Sequence, residues 1–99
     1  MRRGTTPTHT FTIPFSVDNV ADALIVYVQG DEEILRKTVS HCHMEGNTLS
    51  VELTQEETLS FSCKKKAQIQ VKVLTNDGKA LVSNVITTDV TKCLIDEVL

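Results

Sequence analysis

The triplet His41-Cys42-His43 is the first candidate for chemistry in this chain. In a β-strand, alternate side chains share a face, so both imidazoles would point one way and the thiol the other. Two such histidines can bind a transition metal together, but a zinc site needs three or four protein ligands. His9 would supply a third ligand if its strand lies nearby. The spacing favours the alternative of solvated histidines near a strand end, so no metal site is predicted.

The other reactive residue types lack the arrangement that catalysis needs. The acidic groups Asp31-Glu32-Glu33 and Glu56-Glu57 fall where a turn and a helix start are expected, and charge is favourable there without any catalytic role. The lysines of Lys64-Lys65-Lys66 indicate a solvated loop. Cys42 and its neighbouring histidines would point apart along a strand. No phosphate-binding or hydrolase motif occurs, so we predict no enzymatic activity, no cofactor and no small-molecule substrate.

The composition describes one small domain with few means of binding nucleic acid or membrane. The chain has 99 residues, a net charge of -3 and 4% aromatic residues. Nucleic-acid binders and membrane-surface binders are normally basic, so neither partner is predicted. Three cysteines, Cys42, Cys63 and Cys93, form no CxxC pair and indicate free thiols, of which the redox state and reactivity stay open. Met1-Arg2-Arg3 leads into threonines instead of an apolar segment, so we expect a cytoplasmic protein.

The residue pattern in the first half of the chain predicts three β-strands. Thr8–Phe15 alternates, with Phe11, Ile13 and Phe15 on one face, and Pro14 places this strand at a sheet edge. Ala23–Gln29 is almost continuously apolar and predicts a central strand. Ile34–Cys42 predicts a looser strand in which Lys37 falls on the inward phase, and an edge position or a bulge would explain that.

The second half gives clearer signals. Thr48–Leu53 alternates cleanly, and Thr54-Gln55-Glu56-Glu57 matches a capping box, which predicts a helical turn over Gln55–Leu59 between two sheets. Ala67–Val73 and Ala80–Thr88 predict a hairpin around Asn76-Asp77-Gly78-Lys79, with the positive φ of a primed turn. Val90–Ile95 either extends the last strand or forms a separate one.

About seven short strands at this spacing predict an all-β fold, an antiparallel β-sandwich formed by a single domain over residues 1–99. Residues 1–7 are either an arm that reaches a neighbouring subunit or a disordered terminus, and residues 96–99 are expected to fray.

Residues Asn47–Asp89 resemble the end of an immunoglobulin-like domain. Thr48–Leu53 looks like its strand E, Thr54–Thr58 like the turn between the sheets, and Ala67–Val73 with Ala80–Thr88 like its F–G hairpin. The tryptophan, the corner tyrosine and the disulfide of antibody domains are lacking. The resemblance therefore implies an immunoglobulin-like sandwich without membership of the antibody family.

The chain is also similar to short hypothetical proteins of Firmicutes prophages, in Arg2–Thr8, in Leu53–Leu59 and in Asn76-Asp77-Gly78. That similarity implies a phage-derived structural or protein-interaction module in the virion, its tail or its assembly. The expected partner is another protein or a second copy. Two alternatives remain, a small metal- or ligand-binding module that uses His41 and His43, and a host-directed inhibitor.

Overall fold

The computed structural model describes all of residues 1–99, and most of its regular structure is antiparallel β-sheet. The strands are β1 (Thr8–Thr12), β2 (Val20–Gln29), β3 (Glu32–Thr38), β4 (His43–Glu45), β5 (Thr48–Glu52), β6 (Ala67–Thr75), β7 (Ala80–Val82) and β8 (Ile86–Thr88). The single α-helix, α1, covers Gln55–Leu59, and short 3-10 helices cover Val17–Asn19 and Val39–His41.

Two sheets carry the core between them. Sheet 1 has the order β1-β5-β4, and sheet 2 has the order β3-β2-β6-β7, with β8 paired to β6 as well. Thirteen buried apolar residues form one cluster with members from both sheets, including Ile25, Leu49, Val51 and Val71. The predicted all-β, two-layered arrangement is therefore confirmed.

The clean alternation of β5 and β6 is confirmed residue by residue. Leu49, Val51 and Leu53 are at most 1% exposed, while the residues between them lie at the surface or half-buried. In β6 every second residue from Ala67 to Thr75 is buried. β-branched and aliphatic side chains at a period of two suit a sheet with one face on the core, and these strands have that pattern.

β3 is an edge strand, and its pairing with β2 contains a register shift between Tyr27 and Val28. The inward phase of Lys37, which is only 8% exposed, had predicted an edge position or a bulge, and β3 has both. The prediction that this strand continues to Cys42 is wrong. β3 ends at Thr38, because a 3-10 turn over Val39–His41 follows it directly.

α1 has the predicted bounds and the predicted cap. The Thr54 hydroxyl accepts a hydrogen bond from the Glu57 amide at 3.1 Å, and the Glu57 carboxylate accepts one from the Thr54 amide at 2.8 Å. The helix connects β5 in sheet 1 to β6 in sheet 2, as expected. Buried Thr58 fixes its other end by donating to the Thr5 carbonyl at 2.8 Å.

The β6–β7 hairpin differs from its prediction in two respects. Gly78 has a φ of 85°, but no non-glycine residue has a positive φ. The prediction of a primed turn is therefore wrong. The Thr75 amide donates to the Lys79 carbonyl, which closes a three-residue loop with glycine in the left-handed position. The expected continuous strand Ala80–Thr88 is interrupted at 83–85, where the Ser83 hydroxyl accepts the Val71 amide at 3.0 Å.

The two ends of the chain lie beside each other. Arg2 and Thr91 form an isolated parallel bridge, and this is the only regular pairing within Val90–Ile95, which therefore neither extends β8 nor forms a strand. Further along the N-terminal segment, the Pro7 carbonyl accepts from the Leu53 amide at 2.9 Å. At the other end, the Gln55 side chain bonds the backbone of Leu99. None of the helices has the length and hydropathy to cross a membrane.

Candidate functional site

The triplet His41-Cys42-His43 does not form a strand that presents two imidazoles on one face. His41 ends a 3-10 turn, and its Nδ1 accepts the Thr38 amide at 3.2 Å. His43 begins β4, and its Nε2 lies 3.5 Å from a carboxylate oxygen of exposed Glu45. Each imidazole therefore has its own local partner.

His9 lies on the inner face of β1, away from the other two histidines. Its Nδ1 is 2.7 Å from the hydroxyl of Tyr27, a fully buried residue of β2. Burial, with a smaller contribution from the positive N-terminus, lowers the pKa of His9. No three His, Cys, Asp or Glu side chains form a group able to hold a metal ion.

The three cysteines are free and lie apart. Cys42 is half-buried, its thiol lies 3.4 Å from the Thr38 carbonyl, and burial raises its pKa, an effect that nearby Lys37 only partly offsets. Cys93 is half-buried against the Ile95 carbonyl at 3.2 Å. Cys63 is exposed at the start of the loop that carries the three lysines. No hydrogen bond joins an imidazole to any of these thiols.

The acidic residues have structural partners instead of a shared cleft. Glu57 caps α1 and forms an ion pair with Lys37 at 2.7 Å. Glu33 pairs with exposed Arg36 at 2.9 Å, while the neighbouring Asp31 and Glu32 are exposed at the turn between β2 and β3. The arrangement therefore offers no pair of carboxylates on opposite sides of a substrate site.

An apolar groove of about 370 Å³ lies on one side of the two sheets. We call it the open groove. It is lined by Phe11, Ile13 and Phe15 of the segment around β1, by Val71 and Val73 of β6, and by Leu81 and Ile86 of β7 and β8. Leu81 lies directly opposite Val73 and Ile86 opposite Ile69 in the pairing of sheet 2, so both face inward, yet they are 45% and 42% exposed. No strand of sheet 1 covers them.

One wall of the open groove is an unpaired strand edge. β1 pairs only with β5, and the Ile13 amide and the Pro7 carbonyl bond to the β5 side. In an antiparallel pair, the backbone groups of successive residues point alternately toward the partner strand and away from it. The odd-numbered residues of β1 therefore bond to β5, and the backbone groups of Thr8, Thr10 and Thr12 point away from it. We call these groups the free edge of β1. The three threonines are exposed.

The other strand edges of the molecule carry features that discourage pairing. β3 has charged Glu33 and Arg36 and a register shift against β2. β4 has only three residues, and β7 is separated from β8 by the interruption at 83–85. β1 has five residues without a formal charge. It is thus the longest edge strand that is both uncharged and uninterrupted.

Sequence reasoning placed β1 at an edge but missed the open groove. The apolar run Ala80-Leu81-Val82 indicates a strand, but the sequence does not show that this strand has no partner beyond it. The arrangement can form backbone hydrogen bonds along β1 and apolar contacts beside it.

No known protein family matches the chain, and neither a curated protein nor a solved structure shows significant similarity to it.

Proposed function

We propose that the chain is a non-enzymatic protein-interaction module that binds its partner through the open groove and the free edge of β1. The observation that carries the proposal is the uncharged five-residue edge beside an apolar groove of about 370 Å³. Unpaired strand edges and uncovered apolar surface are two features by which β-sheet proteins recognise other chains.

An immunoglobulin-like topology is part of this proposal. Constant-type immunoglobulin domains have the sheet orders A-B-E-D and C-F-G, and variable-type domains add C′ beside C. Assigning β1 to B makes sheet 1 B-E-D and sheet 2 C′-C-F-G. In this assignment, strand A has no counterpart, and its place is beside β1, next to the open groove.

The biological setting that we propose is a phage particle or its assembly, and its support is the resemblance of Arg2–Thr8, Leu53–Leu59 and Asn76-Asp77-Gly78 to segments of prophage proteins. A small domain with a single receptive edge suits a decoration, tail or assembly component, because such components act by contact with other proteins. Mass spectrometry of purified particles from an induced source strain would find stoichiometric peptides of this chain. Their absence from particles and from assembly intermediates would contradict this setting.

A pair of matched variants tests the use of the open groove. Leu81 and Leu74 are similarly exposed, at 45% and 40%, but Leu81 lines the groove and Leu74 lies on the opposite face of sheet 2. Affinity capture from the induced lysate should recover a stoichiometric protein with the wild type and with Leu74→Asp, and lose it with Leu81→Asp. Equal recovery with both variants would show that the groove is not the binding surface.

A further inference from the structure

We infer that the partner supplies an extended segment that adds to sheet 1 as a fourth strand beside β1. Every second side chain of this segment is uncharged and aliphatic and lies in the open groove. The inference rests on the proposed interaction function. The occupant is thus a strand-forming segment of another protein.

The backbone of β1 is arranged to receive such a segment. The amide and carbonyl groups of Thr8, Thr10 and Thr12 point away from β5, and no strand pairs with β1 on that side. Five residues of strand extend over about 17 Å. An added strand of that length would pair its own backbone with all three threonines, and the backbone groups carry no information about partner sequence.

The groove supplies the selectivity. Side chains of an added strand alternate between its two faces, so every second one would enter the groove and contact Leu81 and Ile86. None of the twelve lining residues is charged, and eight are hydrophobic. A charged side chain there would lose hydration without gaining a partner. The remaining side chains would lie beside the threonines on the solvent face, where polar residues are accommodated.

A folded second copy of this chain does not suit the same position. β1 of any copy is backed by its own sheet 2, as the contact of His9 with Tyr27 of β2 shows. If β1 of a second copy lay over Leu81 and Ile86, its own sheet 2 would need the space that β7 and β8 occupy. A segment free of its own second sheet meets no such conflict.

The test uses a tethered probe on the full chain. The probe Thr-Val-Thr-Val-Thr-Val-Thr is fused after Leu99 through a flexible Gly/Ser linker of about ten residues, which has a mean reach of about 17–19 Å. Val98 lines the same surface hollow as Thr6 and Glu52, so the fusion point is near the start of β1. We expect amide exchange at Thr8, Thr10 and Thr12 to slow by at least about tenfold. A matched probe with aspartate in place of valine should leave exchange unchanged.

Two variants of β1 make the result specific. Thr10→Pro removes the amide at the centre of the free edge, an amide that does not bond to β5. This variant should abolish the slowing of amide exchange at Thr8 and Thr12. Thr10→Val also loses the Thr10–Ser50 hydroxyl contact but keeps the amide, and it should retain the slowing. Unchanged exchange with the valine probe, or equal slowing with the aspartate probe, would overturn the inference.

The oligomeric state of the unfused protein is the remaining check. Sedimentation should show a monomer, whereas a dimer that Thr10→Pro dissociates would identify a second copy as the occupant and overturn the inference. Failure of the probe together with Leu81-dependent capture would reject strand addition while the proposed interaction function stands. If the valine probe slows amide exchange but no partner is captured in a Leu81-dependent way, the edge of β1 accepts a strand and the proposed interaction function is rejected.

Discussion

The Lys37 ammonium lies 2.7 Å from a carboxylate oxygen of Glu57, and the pair joins edge strand β3 to the first turn of α1. The two side chains are 10% and 23% exposed. Burial alone would raise the pKa of Glu57, but the hydrogen bonds from Lys37 and Thr54 outweigh it and hold that pKa below its usual range. One carboxylate therefore serves both as helix cap and as the partner of a buried lysine.

Removal of Glu57 should cost more than removal of Lys37. Glu57→Ala leaves the poorly exposed Lys37 ammonium without its carboxylate partner, and it also removes half of the capping box, so we expect about 3 kcal/mol of lost stability. Lys37→Met keeps the cap and replaces the lysine stem with an apolar chain of similar length, so the loss should be about 1 kcal/mol. Urea denaturation measures both, and a larger loss in Lys37→Met would contradict this account.

The contact between His9 and Tyr27 should make stability depend on pH. Burial lowers the pKa of His9 in the folded chain, whereas the unfolded chain has a pKa near the usual value of about 6.5. The unfolded state then binds the proton first, so the contribution is complete well above pH 6.5 and declines as the pH falls from there to the folded-state pKa. Below the folded-state pKa, this residue causes no further loss.

Matched histidine variants isolate that effect. The free energy of unfolding, measured by urea titration between about pH 8 and pH 5, should fall less steeply in His9→Gln than in the wild type. His43→Gln is the control, because the His43 side chain is 76% exposed and pairs only with Glu45 at the surface. An unchanged slope in His9→Gln would contradict a half-buried His9 whose pKa is lowered by burial.

Local signals explain which parts of the fold the sequence could predict. Thr54 and Glu57 cap α1 within three residues of each other, and alternating side chains define β5 without reference to the rest of the chain. The end of β3 was not predictable in this way, because the Thr38–His41 hydrogen bond that stabilises the following turn competes with strand continuation. The ion pair of Lys37 was not predictable from local signals either, because its partner Glu57 lies twenty residues away in sequence.

The candidate site was less predictable than the fold. The inward position of His9 could have been inferred, since it has the same phase as Phe11 and Ile13. The open groove could not, because it depends on which strands become edges and on the absence of a strand beside β1. Both are properties of the assembled sheets and leave no mark in any short stretch of sequence.

Gln29 should be critical for the loop between α1 and β6. Its side chain is almost fully buried at 4% exposure, and it donates to the carbonyls of Ser62 and Lys65 while accepting the Ser62 amide. Gln29→Leu would remove three hydrogen bonds and leave their backbone partners unpaired at a partly buried site. We expect a loss of about 2–3 kcal/mol and faster amide exchange over residues 62–66.

A second glutamine provides the comparison. Gln70 is half-buried and makes one comparable bond, to the Ser83 carbonyl at 2.9 Å, so Gln70→Leu should cost about 1 kcal/mol and leave exchange over residues 62–66 unchanged. Urea denaturation and hydrogen exchange on both variants decide the matter. If the two losses were equal, or if the loop stayed protected in Gln29→Leu, the loop would be held by its own turn and not by the Gln29 side chain.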